Sequence, residues 1–203
     1  MLENYKDKIK QLKPFYIKNI LPNLISWNEI ESLLNLRPMV NDKRLHILSN
    51  KRYEWKAGGW LSDNNSYPPD LINSEIKKYV CYISDCSRVN KKINNVCKEL
   101  EDILNMPSDA HIFFSLKEKQ TDLKGFGKHQ DNQHNLIVCS EGKFIIKVYS
   151  DNYIEKEMNN GDAIFVPKNI DHEVIPLTKR LSVSFPIKDS DFLQSRQWIN
   201  LTN

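Results

Sequence analysis

Between residues 89 and 105 the apolar side chains Val89, Ile93, Val96, Cys97, Leu100, Ile103 and Leu104 recur at the spacing of one helical face. That rhythm predicts an amphipathic helix lying against a sheet. Past Met106-Pro107 the period shortens. Residues 110–116, 135–139, 144–149, 163–166 and 180–186 are short runs rich in β-branched and aromatic side chains, separated by turn residues; they predict an antiparallel β structure. Glu141-Gly142-Lys143 suits a hairpin, and Asn159-Asn160-Gly161-Asp162 supplies the positive-φ residues of a tight reversal. Earlier in the chain, Ser26-Trp27-Asn28-Glu29 reads as a capping box that starts a short helix with Ile30, Leu33 and Leu34 on its apolar face. Residues 44–48 read as a strand. Tyr53 to Trp60, and the polar run onward to Pro68-Pro69, read as an aromatic-bearing loop.

A chain of 203 residues is long enough for one domain with a real core and short for two. The expected organisation is a single domain over 1–203. Residues 1–106 form mainly helical support with some strand, 107–190 the β core and 191–203 a tail. The fold class expected is mainly β with a helical N-terminal half.

Composition narrows the function classes without choosing one. A net charge of +3 is far from the basic excess of a dedicated nucleic-acid binder, so nucleic acid is not indicated as a partner. No apolar run approaches the roughly 20 residues needed to cross a bilayer, and the start Met1-Leu2-Glu3-Asn4-Tyr5-Lys6 is polar, so a cytoplasmic protein is expected. Cys81, Cys86, Cys97 and Cys139 contain no C-x-x-C pair, which predicts reduced, buried thiols rather than a zinc knuckle or a dithiol.

The candidate chemistry lies in His129-Gln130-Asp131 and His172. Two imidazoles and a carboxylate can cap one face of an octahedral Fe(II) and leave the opposite face open for O₂ and a co-substrate. An isolated H-x-D is far more often a solvated loop, but here the neighbours carry further pattern. From His129 the spacing runs H-x-D-x3-N-x6-G through Asn135 and Gly142, and toward His172 it runs G-x5-P-x-N-x2-H from Gly161 through Pro167 and Asn169. Both spacings resemble the two short cupin motifs, with Asn135 where many cupins carry glutamate and Asn169 where they carry glycine. Strand alternation would turn His129 and Asp131 to one face, with His172 closing the site from a distant strand.

The segment Gly125-Phe126-Gly127-Lys128-His129-Gln130-Asp131, with Asn135-Leu136-Ile137-Val138, Gly142-Lys143, Gly161 to Pro167, His172-Glu173-Val174 and Leu181 to Pro186, resembles the JmjC-type branch of the Fe(II)- and 2-oxoglutarate-dependent oxygenases. Within that branch it is most similar to the ribosomal oxygenases and the asparaginyl-hydroxylase-like cupins. The resemblance covers about residues 110–187. It implies a double-stranded β-helix, a cupin-like jelly roll flanked by helices, holding Fe(II) through His129, Asp131 and His172. It also implies 2-oxoglutarate as co-substrate, Asn135 beside that molecule's carboxylate, and hydroxylation of a protein side chain, with a small-molecule substrate as the alternative.

One position departs from the family. Where these relatives put a lysine or arginine to grip the distal carboxylate of 2-oxoglutarate, this chain has Phe144. Lys143 and Lys147 are near, yet alternation turns them away from the face of Phe144 and Ile146. On the last strand Leu181, Val183 and Phe185 form an apolar face and leave Arg180, Ser182 and Ser184 on the other. Arg180 with Ser182 resembles the Arg-x-Ser pair that other 2-oxoglutarate oxygenases place after the distal histidine. An edge strand with its polar face in water is the competing reading. Arg180 is therefore the first candidate for the carboxylate and Lys143 the second. His46, His111 and His134 read as packed or surface histidines. Two other functions stay open: a cupin metal enzyme that does not use 2-oxoglutarate, and a non-catalytic cupin-like binding module.

Overall fold

The computed structural model describes residues 1–41, 43–48, 66–116 and 126–190. The aromatic loop expected at Tyr53 to Trp60, and Gly125, lie outside the described residues. The strands are β1 (Phe15–Ile17), β2 (Leu45–Ile47), β3 (Cys81–Ile83), β4 (His111–Ser115), β5 (His134–Glu141), β6 (Phe144–Tyr149), β7 (Ile154–Met158), β8 (Ala163–Val166), β9 (Asp171–Pro176) and β10 (Arg180–Ile187). They form a seven-stranded sheet in the order β1-β8-β5-β10-β4-β3-β2 and a three-stranded sheet in the order β7-β6-β9. All paired neighbours are antiparallel.

Sheet burial explains the hydrophobic pattern. In β5, Leu136 and Val138 join the core beneath the helices, while Ile137 and Cys139 join a smaller core between the two sheets. β8 divides the same way, Ala163 and Phe165 to one side and Ile164 and Val166 to the other. Where both faces of a strand pack against apolar layers, successive residues are apolar, which is why 136–139 and 163–166 read as continuous runs. β6 is covered on one face only. Phe144, Ile146 and Val148 are buried between the sheets, and Ile145 and Lys147 alternate with them on the outer face.

The helices are α1 (Lys6–Lys10), α2 (Trp27–Leu34), α3 (Pro69–Glu75) and α4 (Lys91–Leu104). α4 buries Ile93, Val96, Cys97, Leu100 and Ile103 against the large sheet. Asn90 caps its start by accepting from the Ile93 amide at 2.9 Å. Asn105 ends it in the left-handed conformation at φ 54°, the C-terminal stop that asparagine tolerates. The capping box of α2 is formed as expected, with Ser26 accepting from the Glu29 amide and Glu29 accepting from the Ser26 amide.

The four helices named lie in the first half of the chain, and short strands accompany them. β1, β2 and β3 all come from it and extend the large sheet on both flanks. The expected hairpin at Gly142 is a crossover instead, because β5 belongs to the large sheet and β6 to the small one. Gly142 has φ 74°, and a Cβ there would lie 1.9 Å from the Lys179 carbonyl oxygen. Gly161 makes the return crossing at φ 89°, between β7 and β8. The four cysteines are buried, and no disulfide joins them. No helix among the described residues is long and apolar enough to cross a membrane.

Candidate metal centre

His129 and His172 face each other across a single antiparallel bridge, His129 N–H to the His172 carbonyl at 3.0 Å and His172 N–H to the His129 carbonyl at 2.8 Å. His172 opens β9. His129 and Asp131, in contrast, lie outside any regular strand, so it is this bridge and not ladder alternation that brings them to the site. Further backbone pinning comes from Asn169, whose amide donates to the Asp131 carbonyl at 2.7 Å. Asn169 sits at φ 60°. At this cupin glycine position the chain needs a left-handed residue, and asparagine is the side chain that best tolerates one. One residue before each histidine, Lys128 and Asp171 pair at 3.0 Å on the outer side.

The ring nitrogens are assigned by their partners. Nδ1 of His129 lies 2.9 Å from the Gly127 carbonyl, and Nδ1 of His172 lies 3.1 Å from the Ile170 carbonyl. A carbonyl only accepts, so both Nδ1 atoms carry the hydrogen and both Nε2 lone pairs face inward. The Asp131 carboxylate stands between them, 3.9 Å from His129 Nε2 and 3.5 Å from His172 Nε2. One ligand atom from each of the three residues falls within 4.8 Å of the others. Burial holds the His172 pKa below the ordinary histidine value, which favours the neutral ring that a metal requires. Two imidazoles and a carboxylate that converge in this way suit a divalent transition metal such as Fe(II).

Beside the triad lies a cavity of about 210 Å³, lined in part by Asn135, Ile137, Val174, Arg180, Ser182 and Ser184. β10 is the central strand of the large sheet, so its polar face meets this cavity and not bulk water. Arg180 is 4% exposed. Its Nη1 donates to Ser182 Oγ at 3.2 Å, its guanidinium carbon lies 5.3 Å from the centre of the Phe144 ring, and its buried Nε has no hydrogen-bond partner. Burial pulls its pKa down to about 10. Among the described residues lining the cavity, Arg180 is the one lysine or arginine. Lys143 stands elsewhere: it is half exposed and pairs with Glu157 at 3.0 Å on the outer surface.

Asn135 donates its Nδ2 to Asp131 Oδ2 at 2.6 Å and accepts from Ser184 Oγ at 3.0 Å through Oδ1. The open side of the cavity is aromatic. Tyr82 on β3 stacks with His46 at 4.4 Å and with Phe113 at 4.9 Å, and Phe126 lies 5.1 Å from the His129 ring. Sequence patterning did not single out Tyr82, Phe113 or Phe126 as site residues. The short run Val80-Cys81-Tyr82-Ile83 was the available signal, since it marks a strand. His111 joins this wall, whereas His134 packs away from the site against Phe165.

No protein-family model matches the chain. Among curated proteins it is similar to one named Myb1 protein of Plasmodium falciparum (isolate 3D7), 26% identical over 214 residues, 86% of this chain and 50% of that one. Among solved structures it is similar to YcfD, a ribosomal oxygenase from Escherichia coli, in complex with cobalt and succinic acid. That match has a TM-score of 0.63 at 17% identity and covers 92% of this chain. The chain shares the fold of this structure. YcfD in complex with cobalt and 2-oxoglutarate superposes with a TM-score of 0.61 at 16% identity, again over 92% of this chain. The chain spans about half the length of these relatives, 50% of the Plasmodium protein and 52% of YcfD. The fold shared with YcfD agrees with the family that residues 110–187 resemble.

Proposed function

We propose that this chain is an Fe(II)- and 2-oxoglutarate-dependent oxygenase, a hydroxylase acting on a protein side chain. The observation that carries the reading is Arg180, a buried guanidinium with an unpartnered Nε, facing the cavity beside a His-Asp-His triad. A desolvated cation without an anion is costly, and a carboxylate placed against it offsets much of that cost. The fold shared with YcfD and that protein's 2-oxoglutarate complex support the same co-substrate.

In this reading His129, Asp131 and His172 hold the metal through two Nε2 atoms and a carboxylate. A bound Fe(II) would supply activation of O₂, with one oxygen atom passing to succinate as 2-oxoglutarate loses CO₂ and the other inserted into a substrate C–H bond. Arg180 and Ser182 hold the distal carboxylate of the co-substrate by charge-assisted hydrogen bonds. The Phe144 ring packs against the guanidinium, and Ile137 and Val174 give the cavity an apolar lining. The aromatic wall of Tyr82, Phe113 and Phe126 borders the side from which the substrate enters. Phe144 thus leaves the family's position for a cation on β6 apolar, and a cation from β10 takes its place.

The test is succinate release from 2-oxoglutarate by the purified protein with Fe(II) in air. Release that His129→Ala abolishes supports the oxygenase, and a protein substrate should gain one oxygen atom by mass spectrometry. Metal binding without any use of 2-oxoglutarate overturns this reading in favour of a cupin metal enzyme of another kind, the alternative that Phe144 favours.

A further inference from the structure

Asp131 is the weakest-held member of the triad. It lies outside the strands, its side chain is about one-third exposed, and its backbone is tied by the Asn169 amide alone among the bonds of the described residues. Each histidine ring is fixed by a carbonyl at Nδ1, and a carboxylate has no such second nitrogen. What restrains it is Asn135, 3% exposed at the second position of β5, through the 2.6 Å bond to Oδ2.

The direction of that bond follows from chemistry. An ionised carboxylate only accepts, so the Asn135 amide must present its NH₂ to Asp131 and its oxygen to the other side. On that other side is Ser184, 3.0 Å away on β10, and it must donate. The hydroxyl therefore selects one of the two faces of the amide. The register places Ser184 opposite Ile137 and Pro186 opposite Asn135, so the hydroxyl reaches the amide diagonally across a rigid central strand pair. We infer that Ser184 is a positioning residue that acts through Asn135 to hold the Asp131 carboxylate in its metal-binding orientation. The inference rests on the proposed metal role of the triad, and it makes Asn135 a support for the metal ligand as well as a neighbour of the co-substrate. Outer partners of metal ligands typically contribute 10–100-fold in metal affinity.

The experiment is calorimetric titration of the metal-free protein with Co(II), in the absence of 2-oxoglutarate so that contacts with the co-substrate do not contribute. Ser184→Ala should weaken Co(II) binding about tenfold with an unchanged melting temperature, and Ser184→Thr, which keeps the hydroxyl, should retain affinity. Asn135→Leu should weaken binding by at least as much, and adding Ser184→Ala to it should cause no further loss, since the two act in series. Ser184→Ala binding Co(II) like the wild type overturns the inference and leaves the triad standing. Additive losses also overturn it, because they separate Ser184 from Asn135. A wild-type protein that binds no Co(II) overturns both this inference and the metal site.

Discussion

Arg180 and Phe144 face each other from the two sheets, and their exchange of roles is the most specific property of this site. A cation placed on β6 would have the same cavity in reach, but there the chain spends its buried position on a ring that packs between the sheets. If Arg180 holds the distal carboxylate, Arg180→Ala should weaken 2-oxoglutarate binding at least tenfold, since a charge-assisted contact contributes about 1.5–3 kcal/mol. Phe144→Arg introduced into that variant should recover part of the loss by returning a cation to the same cavity. Calorimetry on the anaerobic Fe(II) protein reads both. The exposed Lys143 already has Glu157 as its partner, so Lys143→Ala should leave the affinity unchanged. Strand alternation puts Arg180 on the face of Ser182 and Ser184, and the resemblance to an Arg-x-Ser pair makes it a candidate for the carboxylate. What alternation could not supply was the burial of that face, because β10's central place in the sheet depends on β2, β3 and β4 adding beyond it.

The elements that were legible in sequence are those whose local pattern and tertiary role agree. α4, β5, β6, β8 and β10 match their expected segments because apolar positions there coincide with buried ones. β7 and β9 were not predicted. β7 reads Ile-Glu-Lys-Glu-Met with three consecutive polar exposed residues, as an edge strand permits. β9 interleaves His172, a member of the candidate metal triad, and charged residues with Val174 and Ile175, so the apolar alternation is lost. The turn at Gly142 was recognised by composition but assigned to the wrong connection, since a glycine signals a left-handed residue and does not say which sheet follows. That crossing gives a sharp test. A Cβ at Gly142 would overlap the Lys179 carbonyl and demand φ 74° of an L-residue. Gly142→Ala should therefore lower stability by at least about 2 kcal/mol in urea unfolding, and it should disturb Arg180, which follows Lys179, along with it. Ser26→Ala, losing one cap at the start of α2, should cost only about 1 kcal/mol.

At the scale of the whole molecule, the large sheet has one face for the helices and one divided between the small sheet and the cavity. The small sheet covers the β8-β5-β10 side, and the aromatic row on β2, β3 and β4 lines the remainder. Histidines buried in this arrangement make stability depend on pH. Burial depresses the pKa of His111 and of His134 below the ordinary value of 6.5. Above that value both are neutral in the folded and unfolded chain and contribute no pH dependence. Below it the unfolded chain takes up protons that the folded chain resists, so stability falls as pH drops from about 6.5 toward the depressed values. Melting temperatures measured across that window should decline, and His111→Phe should flatten the decline. The triad itself was legible because two spaced motifs converge on it, whereas its setting, from the Ser184 hydroxyl to the wall around Tyr82, exists only once distant strands have paired.

Calorimetric titration of 2-oxoglutarate into the Fe(II)-loaded protein without oxygen addresses the proposed activity at its root. Binding of one 2-oxoglutarate per chain, dependent on the metal and lost with His129→Ala, is the result expected. A protein that takes up Fe(II) through His129, Asp131 and His172 yet binds no 2-oxoglutarate would contradict the oxygenase and leave Arg180 awaiting a different anion.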